Sequence, residues 1–282
     1  MARGGPNGKP IKRIEIVSRR CSIPDAAGAM TDVLANNEPM ERKILCVTAH
    51  PDDEASNFGG TVMRSVRDGV ECRLICLTSG EAARNRGGAK DRGELKAMRR
   101  DELAASCEVL GFASFEAWDL GDAHLPEAPF FYAVGRLVSE IRRFQPELIL
   151  TMGPEGSVTA HPDHGMAGTL TTTAFHWAAR EYYFPEQGLP SHRALRLYYA
   201  TALAQPPGFP EVWLPFPDVG VEMSEFLVRK FEAFRQHKTQ TPLFARVEQA
   251  LGGITTELYH LAAGVALPDG PRPATDLWAG LK

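Results

Sequence analysis

Residues 44–60, ILCVTAHPDDEASNFGG, combine a short apolar run with a dense polar cluster. The unalternated run 44–47 is typical of a strand buried on both faces of a parallel sheet. Pro51 breaks this strand, and one histidine and three acids surround it: His50, Asp52, Asp53 and Glu54. Because ligands of open α/β sheets bind at the carboxyl ends of strands, the cluster predicts a divalent-cation site, with Zn²⁺ the first candidate. The alternative is a polar turn in which an aspartate caps the next helix.

A second polar cluster follows another short apolar run, residues 148–150. Residues 151–164 read TMGPEGSVTAHPDH and bring His161, Asp163 and His164 behind a Gly/Pro-rich loop. The two histidines are three residues apart, close enough for both to face one site. The chain has only eight histidines, so two strand-end loops that each carry His and Asp are more than chance usually gives.

The two motifs, AHPDDE at 49–54 and AHPDH at 160–164, together resemble the LmbE/PIG-L family of zinc-dependent N-deacetylases. The resemblance runs from about residue 43 to about residue 176, and more weakly to about residue 240. It implies an α/β fold with a Rossmann-like, mostly parallel sheet flanked by helices, and a smaller irregular C-terminal part. It also implies hydrolysis of an N-acyl group, usually the acetyl group of an N-acetylated amino sugar.

The resemblance assigns roles to five residues by their positions in the two motifs. His50, Asp53 and His164 match the metal ligands, Asp52 matches the general base, and His161 matches the histidine at the leaving-group side. In the implied mechanism a metal-activated water attacks the amide and Asp52 takes its proton. A protonated His161 would stabilise the oxyanion and supply a proton to the departing amine. The expected cofactor is one Zn²⁺ ion, with Fe²⁺ as the alternative.

Two further residues are candidates for substrate binding. Arg99 stands three positions before Glu102 and matches the family's R-x-x-E, in which the arginine contacts substrate hydroxyls. A planar guanidinium suits that role because it can bind two oxygens at once. Asp122 follows the predicted strand 115–120 and so lies at another strand end. Arg84 and Arg86, on a loop that leaves a strand end, are weaker candidates.

Several positions near these motifs are left open by the sequence. FRQHKTQTP at 234–242 resembles the family's H-x-S-Q segment, with Thr239 in place of the serine. Whether His237 or His124 reaches the site is undecided. Asp163 is expected to orient one of the two histidines on either side of it, His161 or His164. Some family members carry a tyrosine near the oxyanion where this chain has Thr159, so help from a phenol at that position is in doubt.

The local patterns also predict secondary structure around the motifs. We expect a helix over 60–68, a strand over 70–77, a helix over 94–110 and a further strand over 211–217. A helix between two nearby strands is typical of a βαβ unit. No G-x-G-x-x-G follows the first strand, which argues against dinucleotide binding. Cys46, Cys72 and Cys76 fall in or near strand-like runs, where reduced cysteine behaves as a small apolar residue.

The composition of the whole chain bounds its partners. The 282 residues carry a formal net charge of −4, which gives no electrostatic footprint for nucleic acid or an anionic membrane. No run reaches the ~18 apolar residues of a membrane helix, and there is no signal-peptide core, so we expect a cytoplasmic protein. Residues 1–40 are expected to be a partly disordered leader and 41–282 a single deacetylase domain. The expected partner is a small N-acylated amino-sugar molecule, and a homo-oligomer is compatible with the sequence.

Three other functions compete with N-deacetylation. A zinc amidase of the same family would cut a larger amide, such as a thiol S-conjugate, and the two motifs do not separate it from a deacetylase. A non-catalytic sugar- or nucleotide-binding protein would need neither the base Asp52 nor the acid His161. A serine hydrolase is disfavoured because Ser157 lacks a G-x-S-x-G elbow.

Overall fold

The computed structural model describes residues 42–205 and 211–281. These residues fall in one compact unit, Met40–Leu281. The expected leader at residues 1–40 lies outside the described residues, so the division at residue 40 stays a prediction.

The described part of the chain folds into a seven-stranded sheet with helices on both faces. The strands are β1 (Lys43–Thr48), β2 (Glu71–Cys76), β3 (Ser114–Ala117), β4 (Leu148–Met152), β5 (Arg196–Thr201), β6 (Val219–Glu222) and β7 (Thr256–Gly264). The helices are α1 (Asp53–Arg67), α2 (Arg92–Leu110), α3 (Phe130–Phe144), α4 (Pro162–Ala178), α5 (Leu227–Arg235) and α6 (Phe244–Leu251). Among them, none combines the length and the apolar character that crossing a bilayer requires.

The order of the strands brings the two motifs together. The sheet runs β3-β2-β1-β4-β5-β7-β6, with β1 to β5 parallel and β7 antiparallel to both β5 and β6. The chain moves outward from β1 to β3 and then returns to place β4 on the other side of β1. The loops after β1 and β4 therefore leave the sheet in opposite directions and open a crevice between them. This crevice is where AHPDDE and AHPDH meet.

The central strand β1 explains why its sequence does not alternate. Ile44 and Cys46 pack on the face covered by α1, α2 and α5, and Leu45 and Val47 pack on the face covered by α3 and α4. All four side chains are fully buried. A strand between two helical layers needs apolar residues at every position. The predicted Rossmann-like, mostly parallel α/β fold is therefore confirmed, and the strand-borne cysteines are free and buried.

Two local predictions were wrong. Helix α1 begins at Asp53, seven residues before the predicted start at Gly60. Its acidic first turn is favoured by the helix dipole. Residues 211–217 form no strand, whereas β6 and β7 were not predicted. The inward side chains of β7 include Glu257 and Tyr259, which are polar, so the usual inside-apolar pattern of a strand is missing there.

Glu257 anchors helix α1 against the C-terminal half of the sheet. Its carboxylate accepts hydrogen bonds from the backbone N–H groups of Gly60 (2.9 Å) and Thr61 (2.7 Å) and pairs with the Lys230 ammonium at 2.6 Å. The Lys230 and Glu257 side chains are only 3% and 5% exposed. Because the site residues lie in the first turn of α1, this buried ion pair helps to fix where they sit.

Replacing Lys230 with methionine should destabilise the fold. It leaves the buried Glu257 carboxylate without its cation, and breaking a buried pair on one side costs ~3–5 kcal/mol. Urea denaturation measures the loss in the free energy of unfolding. The exposed Lys238→Met variant is the control and should stay within ~0.5 kcal/mol of the wild type. Equal stability of Lys230→Met and the wild type would show that the pair does not anchor α1.

Candidate metal centre

Three histidine rings converge at the crevice between β1 and β4. His50 follows β1, whereas His161 and His164 lie at the start of α4, which begins at Pro162. The centroid of the His50 ring lies 5.0 Å from that of His161 and 5.3 Å from that of His164. The centroids of the His161 and His164 rings are 5.2 Å apart. The topology of the sheet thus assembles one site from two segments more than a hundred residues apart in sequence.

Asp53 lies between two of these rings. Its Oδ2 is 3.5 Å from His50 Nδ1, and its Oδ1 is 3.2 Å from His164 Nε2. The backbone N–H of His50 also donates to Asp53 Oδ2 at 2.8 Å. Burial opposes ionisation of Asp53, but the two histidines outweigh it and hold its pKa well below the usual range. A carboxylate so placed suits a cation held between two imidazoles.

The donor atoms fit a divalent cation of the zinc type. Among the described residues, two groups of three have ligand atoms within 4.8 Å of one another: His50, His161 and His164, and His50, Asp122 and Asp163. Imidazole nitrogen and carboxylate oxygen are ligands that Zn²⁺ and Fe²⁺ accept. The site is therefore a candidate divalent-metal centre. His50 belongs to both groups, and its two ring nitrogens have different contacts.

The second ring nitrogen of His50 faces two carboxylates. Its Nε2 lies 3.0 Å from Asp163 Oδ2 and 3.2 Å from Asp122 Oδ1. Burial opposes the charged imidazole, yet hydrogen bonds to these carboxylates and to Asp53 raise the pKa of His50 well above its usual value. A hydrogen bond from Nε2 fixes the ring and leaves Nδ1 towards Asp53. The expectation that the Asp163 carboxylate orients His161 or His164 was therefore wrong in its partner, since the ring it contacts is His50, in the other motif.

Backbone donors hold both of these carboxylates in place. Asp163 accepts from the N–H groups of Ala123 (2.8 Å) and Leu125 (3.2 Å), and Asp122 accepts from that of Ala82 (2.7 Å). Their lone pairs are therefore largely used by the protein. Asp122 is 7% exposed. Its predicted role in substrate binding stays a prediction, and the contact seen here is with His50.

Asp52 occupies an unusual backbone conformation beside the site. Its φ is 109°, in the left-handed region that non-glycine residues rarely adopt. Its N–H donates to Glu54 Oε2 at 2.8 Å, and its own Oδ2 accepts from Arg99 Nη2 at 2.9 Å. Burial raises the pKa of Asp52 to about 6, while the Arg99 guanidinium opposes that shift. Strain of this kind persists only where surrounding contacts fix it, and here the contacts with Glu54 and Arg99 do so.

Arg99 makes its contacts with the protein. The side chain is 3% exposed and donates to Asp52, to the carbonyl of Pro51 and, at 3.1 Å, to that of Gly80. Gly80 has φ +68°, and a Cβ there would lie 2.3 Å from the Arg99 Nη1. The glycine therefore leaves space for the guanidinium. A substrate role for Arg99 stays a prediction, since its visible partners are the Asp52 carboxylate and the backbone carbonyls of Pro51 and Gly80.

A buried network behind the site connects Glu54 to two distant segments. Glu54 Oε1 lies 2.7 Å from His237 Nε2 and accepts from the Ser106 hydroxyl at 2.6 Å. His237 and Glu54 are fully buried. His237 thus supports the loop after β1, because it contacts Glu54, which in turn accepts a hydrogen bond from the Asp52 N–H. His124 does not join the network: its side chain is 56% exposed and pairs with Glu127 at 3.1 Å.

His161 and Thr159 complete the site on the α4 side. His161 Nδ1 accepts from the backbone N–H of Asp163 at 3.2 Å. Burial, and then the imidazoles of His50 and His164, lower the pKa of His161. Thr159, which stands where some relatives have tyrosine, shares a 3.0 Å hydrogen bond between its hydroxyl and His164 Nδ1. This bond leaves His164 Nε2 directed at Asp53.

From the sequence, Ser106 was not identified as a supporting residue, and Thr159 was not predicted to orient His164. A signal existed for the first. Arg99, Glu102 and Ser106 are spaced by three and four, so they share one face of α2, and all three are buried. Glu102 accepts from both the N–H and the hydroxyl of Thr239 at 2.7 Å. Polar residues at helical spacing next to a site loop indicate such a supporting face. Thr159 gave no comparable signal.

Sequence comparison defines the class of this α/β protein. The profile of the family described as "PIG-L: GlcNAc-PI de-N-acetylase" matches residues 45–175. Diacetylchitobiose deacetylase of Thermococcus kodakarensis is 30% identical over 214 residues, covering 73% of each chain. The 1D-myo-inositol 2-acetamido-2-deoxy-alpha-D-glucopyranoside deacetylase of Rhodococcus erythropolis is 30% identical over 289 residues, covering 85% of this chain and 98% of that one. The chain belongs to the PIG-L family, as the paired motifs predicted.

Comparison of structures gives the same fold in a protein with a different activity. The crystal structure of GalB, the 4-carboxy-2-hydroxymuconate hydratase of Pseudomonas putida KT2440, aligns with a TM-score of 0.66 and 25% sequence identity. The alignment covers 82% of this chain and all of that one. The same fold thus occurs in a hydratase. The reaction must therefore be argued from the site.

Proposed function

We propose that this protein is a divalent-metal-dependent N-deacetylase that removes an acetyl group from an amino-sugar-containing small molecule. The observation that carries the proposal is the arrangement of the side chains from the two motifs. His50, Asp53 and His164 have nitrogen and oxygen atoms directed at one another, whereas Asp52 and His161 stand beside them with other partners. An enzyme that hydrolyses an amide needs such a base and such an acid next to its metal.

His50, Asp53 and His164 are proposed to hold the cation, with Zn²⁺ the expected ion. Three protein ligands are typical of a catalytic rather than a structural zinc site. When bound, the ion supplies an activated water and polarises the amide carbonyl. Asp163 and Asp122 keep the His50 ring in one orientation, and Thr159 does the same for His164.

Asp52 and His161 are proposed to move the protons. Asp52 accepts a proton from the attacking water, because its raised pKa makes it a better base than an ordinary carboxylate. His161 then donates a proton to the departing amine and stabilises the developing oxyanion. Arg99 and Glu54 keep Asp52 in its strained position, so the base is oriented before substrate arrives.

A panel of substrates tests the proposal. Zinc-loaded protein is incubated with an N-acetylglucosamine glycoside, with a larger amide such as a thiol S-conjugate, and with an unsaturated carboxylic acid as a hydratase substrate. Mass spectrometry then scores loss of acetyl, cleavage of the larger amide or gain of water. Loss of acetyl is the expected result. Cleavage only of the larger amide would favour the amidase, gain of water the hydratase, and no turnover with tight sugar binding a non-catalytic protein.

Arg99→Ala separates two roles for the arginine. Because Arg99 contacts Asp52, we expect kcat to fall by about 10–100-fold, the loss typical of a residue that orients a catalytic group, with the metal still bound. Arg99→Lys should restore less than full activity because one ammonium cannot reach all three oxygens. The exposed neighbour Arg100→Ala is the control. An increase in KM with unchanged kcat would instead support the role in substrate binding.

A further inference from the structure

A loop with three arginines borders the candidate metal centre. A cavity of about 220 Å³ is lined by Glu81, Ala82, Ala83, Arg84, Arg86 and Arg92, on the segment that leaves the carboxyl end of β2. Three of these six side chains are positive and one is negative, in a chain whose formal net charge is −4. The cavity is therefore locally basic on a protein that is acidic as a whole.

None of these three guanidinium groups has an ion-pair partner among residues 42–205 and 211–281. The one acid in the lining, Glu81, has another contact, since its Oε1 accepts from the Asp122 N–H at 3.0 Å. Arg84, Arg86 and Arg92 are exposed. Their planar donor groups therefore remain available to an anion from outside.

The loop is fixed at several points. Ala82 N–H donates to Asp122 Oδ2 at 2.7 Å, and the Gln240 side chain donates to the carbonyl of Asn85 at 3.3 Å. At Gly87 a Cβ would lie 2.7 Å from the Thr239 side chain, so the loop packs closely on that segment. Asp91 caps α2 by accepting from the Glu94 N–H at 2.9 Å. The arginines thus lie on a loop whose backbone is held in place by contacts with the rest of the protein.

The cavity also lies beside the metal centre. Ala82, which lines it, bonds to Asp122, and Asp122 Oδ1 is 3.2 Å from His50 Nε2. The backbone of the arginine-bearing loop, at Ala82, is therefore joined to a proposed metal ligand, His50, through the carboxylate of Asp122. A substrate whose acetamide group reaches the metal would extend its remaining portion over this loop.

We infer that the arginine loop is an anion subsite, and that the preferred substrate is an N-acetylated amino sugar whose aglycone carries a phosphate or carboxylate group. The inference rests on the proposed function for the position of the sugar. Guanidinium groups bind both oxyanions through paired hydrogen bonds, so the two sources share one chemistry. The contacts are open to solvent, so added salt should weaken them.

Three substrates test the subsite with the zinc-loaded full chain. They are methyl N-acetylglucosaminide, N-acetylglucosamine 1-phosphate and N-acetylglucosaminyl malate. The kcat/KM of the two anionic substrates should be at least ~10-fold above that of the neutral glycoside. The double substitution Arg84→Gln/Arg86→Gln should remove this difference, because hydrogen bonds to the charged group are lost. The neutral rate should be the same in both proteins. A preference for only one anion would identify the aglycone as phosphate or carboxylate and would also support the subsite.

Arg193→Gln is the matched control, an exposed arginine just before the amino end of β5 and so at the opposite edge of the sheet. It should keep the full preference for anions. Equal kcat/KM for all three substrates would overturn the subsite and leave the deacetylase proposal intact. If no substrate is hydrolysed, the deacetylase proposal fails. The subsite is then tested by calorimetry, which compares the binding affinity of glucosamine 1-phosphate with that of methyl glucosaminide. Equal binding of the two, or binding unchanged by the double substitution, would overturn it.

Discussion

His50→Ala and His164→Ala proteins should purify folded but without a full equivalent of zinc, and their deacetylase activity should fall by more than ~100-fold. Loss of even an outer partner of a metal ligand costs ~10–100-fold in affinity or activity, so loss of a ligand should cost more. Metal content is measured by inductively coupled plasma mass spectrometry after dialysis. His176→Ala, an exposed histidine on α4, is the control and should retain the metal. A full zinc equivalent in both ligand variants would refute the assignment.

Two further substitutions distinguish the possible ligand sets. The geometry also groups His161 with His50 and His164, whereas the proposal takes Asp53 as the third ligand. Asp53→Ala should therefore lose zinc, and His161→Ala should keep it while losing activity. The reverse result would assign His161 to the metal. His161 would then be unavailable as the acid, and the proton for the amine would need another donor.

Asp52→Asn should lose ~10²–10⁴-fold in kcat, the usual contribution of a general base, and should keep its zinc. The amide is nearly isosteric with the carboxylate and can still meet Arg99, so a change in rate reports chemistry rather than folding. Single-turnover rates and metal content are measured on the same preparation. Asp101→Asn, an exposed acid on α2, should behave as wild type. Activity within tenfold of wild type would show that Asp52 is not the base.

The same pair of residues should shape the pH–rate profile. Burial raises the pKa of Asp52 to about 6, and a bound cation lowers the pKa of a neighbouring acid. Activity should therefore be lost as the pH falls, with a midpoint at about 6 or lower, because a protonated carboxyl cannot accept a proton. The basic limb is expected from deprotonation of His161, and its lowered pKa moves that limb to lower pH. His161→Ala should remove the basic limb, and an unchanged limb would mean that another group titrates there.

The fold could be predicted from short patterns because those patterns are local consequences of burial. An apolar run without alternation, as in residues 44–47, is required only where both faces of a strand are covered. The start of α1 could not be predicted in the same way. Gly59 and Gly60 weaken an isolated helix, but here a Cβ at Gly60 would lie 2.4 Å from the Met223 side chain. The glycines are tolerated because another segment packs against them.

In the candidate site, too, some features could be predicted from the sequence and others depended on the tertiary structure. By itself the sequence determined the residue types at the two strand ends and the family. It also predicted that His50, Asp53 and His164 hold a metal ion while Asp52 and His161 move protons. Only the tertiary structure decided that Asp163 orients His50, that Arg99 holds Asp52 and that His237 supports Glu54. These contacts join segments 47 to 183 residues apart. Spacing along a chain reports neighbours on one strand or helix, whereas the order of the strands in the sheet and the packing of helices on it set distances between segments.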